Sequence, residues 1–182
     1  AGRLGVPRVR LDNQVALIAV VPDQGGERVT TVEAIPDGWW YSAPLPGGAR
    51  VAALVTDADL VGPDRLRTWH GALDLARSIA SLVGTGVVSE VAAYPAGAAY
   101  REHLHGDGWV AVGDAAVSVD PLSSQGLITG IVMAAHAARL IETDLAAWEL
   151  NYRAVLAEHE ETRAWLYAEE TRWPDSPFWA RR

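Results

Sequence analysis

The sequence predicts an α+β or α/β fold in which an antiparallel sheet comes first and helices follow. Three observations lead to this prediction: strand-like runs separated by turn residues up to residue 56, helical periodicity from Pro63, and an apolar strand-loop-helix segment at 108–130. The chain has 182 residues, of which 49% are hydrophobic and 21% charged. A chain of this length buries about 70% of its unfolded surface, so a core can form without disulfides.

The strand-like runs lie at 15–21, 29–35, 39–45 and 49–56. Sequences rich in proline, aspartate and glycine separate them at 22–26, 36–38 and 46–48, which is typical of turns. Short turns between consecutive strands predict an antiparallel meander.

Helical spacing of apolar residues predicts one amphipathic helix from Pro63 to about Gly84. The elements expected after it are an extended stretch at 87–100, a buried strand at 109–113, an apolar helix at 124–142 and a longer charged helix at 144–172. The predicted organisation has three parts: a sheet domain with one helix at 1–106, a strand-loop-helix segment at 107–143, and a C-terminal helix with a docking tail at 144–182.

The composition excludes several classes of function. The sequence has no cysteine, which excludes disulfides, thiolate metal sites and cysteine nucleophiles. A formal net charge of -8 disfavours a nucleic-acid partner, since phosphate binding needs a clustered basic face. The longest apolar run, at 127–135, is far shorter than the roughly 20 residues that a membrane crossing needs. We therefore expect a cytoplasmic protein with no nucleic-acid or membrane partner.

The segment 108–130 has the residue types of a polar site built largely from backbone. Asp114 follows the predicted buried strand, where its carboxylate can accept hydrogen bonds from a ribose or ribityl group. Ser123 or Ser124 can cap the next helix, whose free amides and dipole favour partial negative charge. Gly126 lets a flat ligand approach the first turn, and a glycine one turn further on allows close packing. The alternative is an ordinary strand-loop-helix connection.

The string Gly-Asp-Ala-Ala-Val-Ser-Val-Asp-Pro-Leu-Ser-Ser-Gln-Gly at 113–126 resembles the second flavin-binding motif of FAD-dependent monooxygenases of the para-hydroxybenzoate hydroxylase superfamily. The resemblance implies FAD as the cofactor and part of an FAD-binding domain as the fold. In the family the aspartate binds the ribityl or ribose part, the proline lies against the isoalloxazine, and helix amides bind the pyrimidine carbonyl. The residues that match these positions are Gly113, Asp114, Pro121, Gly126, Leu127 and Ile128. Val117 departs from the histidine that many members have.

Two further segments, at 38–45 and 172–182, resemble the tryptophan-halogenase-like branch of this superfamily. The halogenase signature Trp-x-Trp-x-Ile-Pro aligns with Trp39, Tyr41, Ala43 and Pro44. Ser123 stands where halogenases have a glutamate, so the resemblance favours hydroxylation or another flavin oxidation over halogenation. It also places Trp39, Tyr41 and Ser123 at a substrate pocket. Packing is the alternative for the two aromatic residues, because they share one face of a strand.

The resemblance implies a partner region as well. The family begins with a dinucleotide-binding unit carrying Gly-x-Gly-x-x-Gly, and this sequence contains no match to it. We therefore interpret the chain as the C-terminal half of a two-domain flavoprotein whose N-terminal dinucleotide-binding half is missing. The half alone is expected to be inactive.

The leading hypothesis for function is a monooxygenase that acts on an aromatic or peptidyl substrate through a flavin oxygen adduct. A flavin reductase or NAD(P)H would supply the electrons. Two alternatives remain: a flavin-dependent reductase of the geranylgeranyl-reductase type, and a non-catalytic partner-binding module. The sequence identifies no catalytic base. Asp120 is the nearest acid by position, and holding the loop is its alternative role.

The remaining aromatic and ionisable residues are given structural interpretations. Trp69, Trp148 and Trp165 are expected to be packing anchors, and the tail around Trp173 and Trp179 is expected to staple the last helix. No acidic partner stands at ligand spacing from His103 and His105, so a metal site is not expected. His136 is interpreted as a core or interface residue. A solvated helix face is expected to contain Glu158, Glu160, Glu161, Glu169 and Glu170.

Overall fold

The computed structural model describes residues 5–25, 28–84 and 88–182. Its strands, in chain order, are β1 (Arg8–Arg10), β2 (Gln14–Pro22), β3 (Thr31–Ile35), β4 (Gly38–Leu45), β5 (Ala49–Asp57), β6 (Ala92–Pro95), β7 (Ala99–Arg101), β8 (His105–Gly106), β9 (Trp109–Val110) and β10 (Val117–Ser118). The α-helices are α1 (Arg65–Leu73), α2 (Ser78–Val83), α3 (Gly126–Leu140) and α4 (Leu145–Ala168). The predicted mixture of antiparallel sheet and C-terminal helices is confirmed.

The chain forms two compact units, and each combines separate stretches of sequence. Unit 1 contains the described residues up to Asp12 together with Gly97–Glu169, and unit 2 contains those of Asn13–Ala96 together with Glu170–Arg182. The three-part division predicted from the sequence places its boundaries after residues 106 and 143, and these differ from the boundaries of the two units. The difference arises because β1 pairs with β7, which draws the start of the chain into unit 1.

Unit 2 is built on a five-stranded antiparallel sheet in the order β3-β4-β5-β2-β6. The four predicted strands of residues 14–56 are present, but the predicted meander holds only for β3, β4 and β5. The predicted position of β2 beside β3 is wrong. β2 pairs along its whole length with β5, from Gln14 opposite Asp57 to Pro22 opposite Ala49. The stretch expected to be extended at 87–100 contains β6 and β7, and its first residue lies outside the described residues.

The core of unit 2 lies between the sheet and the helices α1 and α2. Trp40 of β4 and Trp69 of α1 are both fully buried there, and their rings meet edge to face with centroids 5.1 Å apart. Leu17 and Ile79 belong to the same cluster. Burying side chains of this size contributes about 1.5–3 kcal/mol each, so this cluster is the main stabilising element of the unit.

The single helix predicted from Pro63 to Gly84 is wrong, because the structure has two helices there. The Glu33 carboxylate of β3 accepts hydrogen bonds from the backbone amides of Arg77 and Ile79, at 2.7 and 2.9 Å. These bonds satisfy amides at the start of α2, so a new helix begins at this point. Glu33 thus stabilises an interruption at residues 74–77, which contain neither proline nor glycine.

The C-terminal tail packs on the sheet of unit 2. The indole Nε1 of Trp179 donates to the Ile35 carbonyl at 2.9 Å, and Arg181 and Arg182 both form ion pairs with the buried Asp57. These contacts dock the tail on the sheet, and the stapling of the last helix stays a prediction. The partners of the tail are thus the Ile35 carbonyl at the end of β3 and the Asp57 carboxylate at the end of β5.

Unit 1 combines small β-ladders with the two long helices. β7 lies between β1 and β10, and β8 and β9 form a two-residue hairpin. The predicted buried strand at 109–113 is wrong, because only Trp109 and Val110 are paired and both are half-buried. Met133 of α3 and Trp148 of α4 form the centre of the core. Trp165, expected to be buried, is 61% exposed.

Candidate functional site

The loop from 113 to 118 is held directly against α3. Gly113 has a left-handed backbone with φ of 55°. A Cβ atom at Gly113 would lie 3.5 Å from the Gly130 Cα, and a Cβ atom at Gly130 would lie 3.4 Å from the Gly113 Cα. Backbone therefore meets backbone here. The close packing predicted for Gly130 is confirmed.

Two arginines fix the backbone around Asp114. Arg8 donates from Nη1 to the Asp114 carbonyl at 2.8 Å and from Nη2 to the Ser118 Oγ at 2.7 Å. Arg101, directly opposite Arg8 on the ladder between β1 and β7, donates from Nε to the Ala115 carbonyl at 2.7 Å. The loop is thus held through its carbonyl groups, while Asp114 itself is exposed.

The electrostatics of these two arginines are coupled. Burial and the nearby guanidinium of Arg101 lower the pKa of Arg8, and the Asp114 carboxylate acts in the opposite direction. Arginine remains a cation at neutral pH even so. A permanent positive charge therefore lies near the loop that carries Asp114.

Asp120 fixes the loop that precedes α3. Its side chain is 3% exposed, and its Oδ1 accepts a hydrogen bond from the Leu122 amide at 2.9 Å. Its Oδ2 accepts from the Arg163 Nε at 3.2 Å and from the Tyr167 hydroxyl at 3.0 Å. Both carboxylate oxygens are engaged within the protein, which favours the loop-holding alternative over a role as catalytic base.

Arg163 joins three acidic side chains from different parts of unit 1. Besides Asp120 it contacts Asp12 Oδ2 through Nη2 at 2.9 Å and Glu160 Oε2 through Nη1 at 3.3 Å. Burial acts to lower the pKa of Arg163, but the three carboxylates outweigh it and the pKa is raised. Burial raises the pKa of Glu160, so this residue is not part of a fully solvated face as predicted. Sequence analysis missed this cluster, because its members are distant in the chain.

The start of α3 differs from the prediction that Ser123 or Ser124 caps it. The residue before the helix is Gln125, and within the described residues its side chain forms no capping hydrogen bond. Ser123 donates instead to the Asp120 carbonyl at 2.8 Å, and Ser124 adopts a left-handed backbone with φ of 54°. First-turn amides of a helix need partners outside the helix. Those of α3 are thus without a side-chain cap.

The predicted flavin contacts lie in these loops and on the first turn of α3. Gly113 is half-buried, and the other five are exposed: Asp114, Pro121, Gly126, Leu127 and Ile128. A Cβ atom at Gly126 would meet nothing closer than the Val119 Cγ2 at 3.9 Å, so this turn is open. Leu127 is 80% exposed and Ile128 57%, which is unusual for large apolar side chains beside a well-packed core.

The residues predicted for a substrate pocket belong to different units. Trp39 is buried and Tyr41 half-buried on β4 of unit 2, whereas Ser123 lies in unit 1. The Trp39 side chain is 2% exposed, which is compatible with the packing role given as its alternative.

His103 and His105 have an acidic neighbour that is distant in the sequence. His103 Nδ1 and His105 Nε2 lie 3.8 and 3.7 Å from the Glu149 carboxylate of α4. Arg153 also pairs with Glu149, at 2.8 Å. Across residues 5–25, 28–84 and 88–182, no group of three or more histidine, aspartate or glutamate side chains is arranged to hold a metal ion. His136 is exposed on α3.

Comparison with solved structures shows which proteins share this fold. The chain superposes on the peptidyl tryptophan dihydroxylase QhpG, essential for tryptophylquinone cofactor biogenesis, with a TM-score of 0.80 and 24% identity, over 95% of this chain and 44% of that one. It superposes on CmlS, a flavin-dependent halogenase, with a TM-score of 0.77 and 24% identity, over 99% of this chain and 37% of that one. The fold is that of part of these flavin-dependent enzymes.

A curated relative points to the same class. The putative FAD-dependent oxidoreductase LodB of Marinomonas mediterranea is 32% identical over 98% of this chain. The chain spans about half of that relative's length, 52%. No protein-family model matches the chain. The resemblance to FAD-dependent enzymes that was predicted from the sequence is confirmed.

A separate finding concerns membranes. None of the helices in the described part of the chain combines the length and apolar character that a membrane crossing requires.

Proposed function

We propose that this chain is the C-terminal part of an FAD-dependent monooxygenase that acts on an aromatic or peptidyl substrate. The observation that carries the proposal is the exposed Asp114, whose loop is fixed by two arginines and packed against the helix α3. The 32% identity to a putative FAD-dependent oxidoreductase supports FAD as the cofactor.

The residues of unit 1 fit the chemistry of a flavin. An exposed carboxylate at Asp114 can accept hydrogen bonds from ribityl or ribose hydroxyls, which are donors. The uncapped first turn of α3 offers amides and a dipole to the electron-rich carbonyls of the pyrimidine ring. The open space at Gly126 allows a planar group to approach. FAD bound there would supply the redox chemistry, while these residues bind and orient it.

The exposed apolar side of α3 supports the proposal that further chain completes the protein. Leu127, Ile128 and Ile131 are between 56% and 80% exposed and follow one another at helical spacing. The relative LodB is about twice as long as this chain, so it has the length for a second domain. We infer that the missing dinucleotide-binding half covers this side of the helix.

Hydroxylation is favoured over halogenation by one residue. Ser123 occupies the position at which the halogenase pattern has a glutamate, and its hydroxyl is used to hold the Asp120 carbonyl. A peptidyl substrate is suggested by the neighbour QhpG, which is named for peptidyl tryptophan. Oxygen consumption by the full-length protein with reduced FAD should therefore rise with a tryptophan-containing peptide. A rise that depends on added halide, or no coupling to oxygen, would contradict the proposal.

The cofactor site is tested by Asp114→Ala in the full-length protein. Losing hydrogen bonds to a charged acceptor costs about 1.5–3 kcal/mol, which corresponds to roughly a 10- to 150-fold weaker FAD affinity. Asp107→Ala is the matched control, because Asp107 is an exposed aspartate of the same unit in a different loop. Fluorescence titration of both variants with FAD gives the affinities. Equal affinity of Asp114→Ala and wild type would refute the assignment.

A further inference from the structure

We propose that Arg163 is a positioning residue for the flavin site: it holds the turn at 120–125, and with it the first turn of α3, in the geometry that FAD binding needs. The inference rests on the proposed function above. It assigns a role to a side chain on α4 that is separated from the predicted flavin contacts by more than thirty residues of sequence.

The first step is that one guanidinium connects three segments of unit 1. Its Nε, Nη1 and Nη2 face Asp120, Glu160 and Asp12 at 3.2, 3.3 and 2.9 Å. The planar donor geometry of arginine allows several carboxylates to be engaged at once, which a lysine ammonium cannot reproduce with the same directionality. The Arg163 side chain is 15% exposed, so solvent screens these contacts only in part.

The second step is that Asp120 transmits this anchor to the turn. Pro121 has no amide hydrogen, so Leu122 carries the first available donor of the turn. That amide donates to the Asp120 Oδ1 at 2.9 Å, while Arg163 and Tyr167 hold the Oδ2. The carboxylate of Asp120 thus connects α4 on one side with the backbone of the turn on the other.

The third step is that the turn needs such an anchor. Ser124 adopts a left-handed backbone, which is unfavourable for a residue other than glycine. Pro121, Ser124 and Gln125 are all exposed, so little packing compensates for that cost. Without Arg163 the buried Asp120 would lose this ion pair and depend more on its remaining donors, and a buried carboxylate with weaker compensation is less favourable. The turn would then rearrange so that Asp120 reaches water.

The conformation of the turn affects how the first turn of α3 is oriented toward a ligand. α3 begins at Gly126, one residue after the turn, so the orientation of its first amides follows the conformation of residues 120–125. A shift of the turn would move Pro121 and the first turn of α3 relative to Asp114. Weaker and less uniform flavin binding is therefore the expected result of losing Arg163.

The test uses the full-length protein with Arg163→Met, which keeps an unbranched, flexible side chain but is shorter and removes the charge and the donors. Asp12→Asn is the matched control, since it weakens the same cluster and leaves the contact between Arg163 and Asp120 in place. We expect Arg163→Met to raise the Kd for FAD at least tenfold and to alter the visible circular dichroism of bound flavin. Asp12→Asn should change the Kd less than twofold.

Amide hydrogen exchange of the flavin-free protein gives a second readout. Arg163→Met should speed exchange of the Leu122 amide at least tenfold, whereas Asp12→Asn should leave it within threefold of wild type. Should Arg163→Met fail to fold, Tyr167→Phe removes one bond to Asp120 and should raise the Kd two- to fivefold.

These experiments distinguish a failure of the positioning role of Arg163 from a failure of the proposed function. Flavin affinity and Leu122 exchange that are the same in Arg163→Met and Asp12→Asn would overturn the positioning role, as would an unchanged Kd in Tyr167→Phe when the first variant does not fold. Wild-type protein that binds no flavin would refute the proposed function and this inference together. Wild-type binding that Asp114→Ala weakens and Arg163→Met leaves intact would overturn this inference alone.

Discussion

Replacing Gly113 by alanine tests the left-handed backbone at the start of the loop that carries Asp114. Gly113 has φ of 55°, and an alanine in this left-handed region costs about 1–2 kcal/mol. The new Cβ would also lie 3.5 Å from the Gly130 Cα, an ordinary contact distance that adds little cost. We therefore expect the free energy of unfolding to fall by about 1–2 kcal/mol, because the conformational penalty dominates.

Gly130→Ala is the matched control, since its Cβ would meet the same contact from the other side at 3.4 Å. Gly130 lies inside α3, where alanine is favoured over glycine by about 1 kcal/mol. This variant should be neutral or slightly stabilising, so the two substitutions differ in sign. For a protein of this size the loss in Gly113→Ala corresponds to a Tm lower by roughly 2–8 °C, measurable by circular dichroism. Equal Tm values for the two variants would refute the reasoning.

Two further predictions concern stability elsewhere. Trp179→Phe leaves the Ile35 carbonyl without its 2.9 Å indole donor and should cost about 1–3 kcal/mol in urea unfolding, whereas Trp165→Phe at an exposed position should stay within about 0.5 kcal/mol; similar losses in both would contradict the docking of the tail. For Glu149, burial opposes ionisation, but the bonds from the Leu104 amide and Arg153 prevail and lower its pKa. Since the native pKa lies below the unfolded value, the stabilisation is present above about pH 4.3 and is lost as pH falls through the native pKa. Unfolding free energies measured from about pH 6 to 3 should therefore fall less in Glu149→Gln than in wild type, and parallel curves would disprove this.

Local sequence signals predicted the sheet of unit 2 well, because each strand is bounded by turn residues. The pairing of β2 with β5 could not be predicted in the same way, since it joins residues that are 27 to 43 positions apart and the turns between them do not indicate it. The break between α1 and α2 has the same origin. Its cause is the Glu33 carboxylate on β3, which no periodicity within 63–84 reveals.

In the candidate site, too, residues within one segment could be predicted and residues distant in the sequence could not. The glycine pair Gly113 and Gly130 and the exposed Asp114 lie in one continuous segment, so a motif could point to them. Arg8 and Arg163, which hold the two loops, come from the first strand and the last helix. An arginine on a polar surface carries no signal for a distant partner, so only the three-dimensional structure reveals these contacts.

The order in which the two units appear along the chain bears on how the protein is synthesised. Unit 2 begins at Asn13 and receives its last segment only with Glu170–Arg182, while unit 1 begins earlier and ends at Glu169. During translation unit 1 therefore has all of its segments before unit 2 does, and the sheet at first lacks the partners that residues 170–182 supply to Ile35 and Asp57. Incompletely folded domains expose apolar surface and associate readily. A chain in which residues 170–182 have not yet been synthesised is therefore expected to associate more readily than one that includes them.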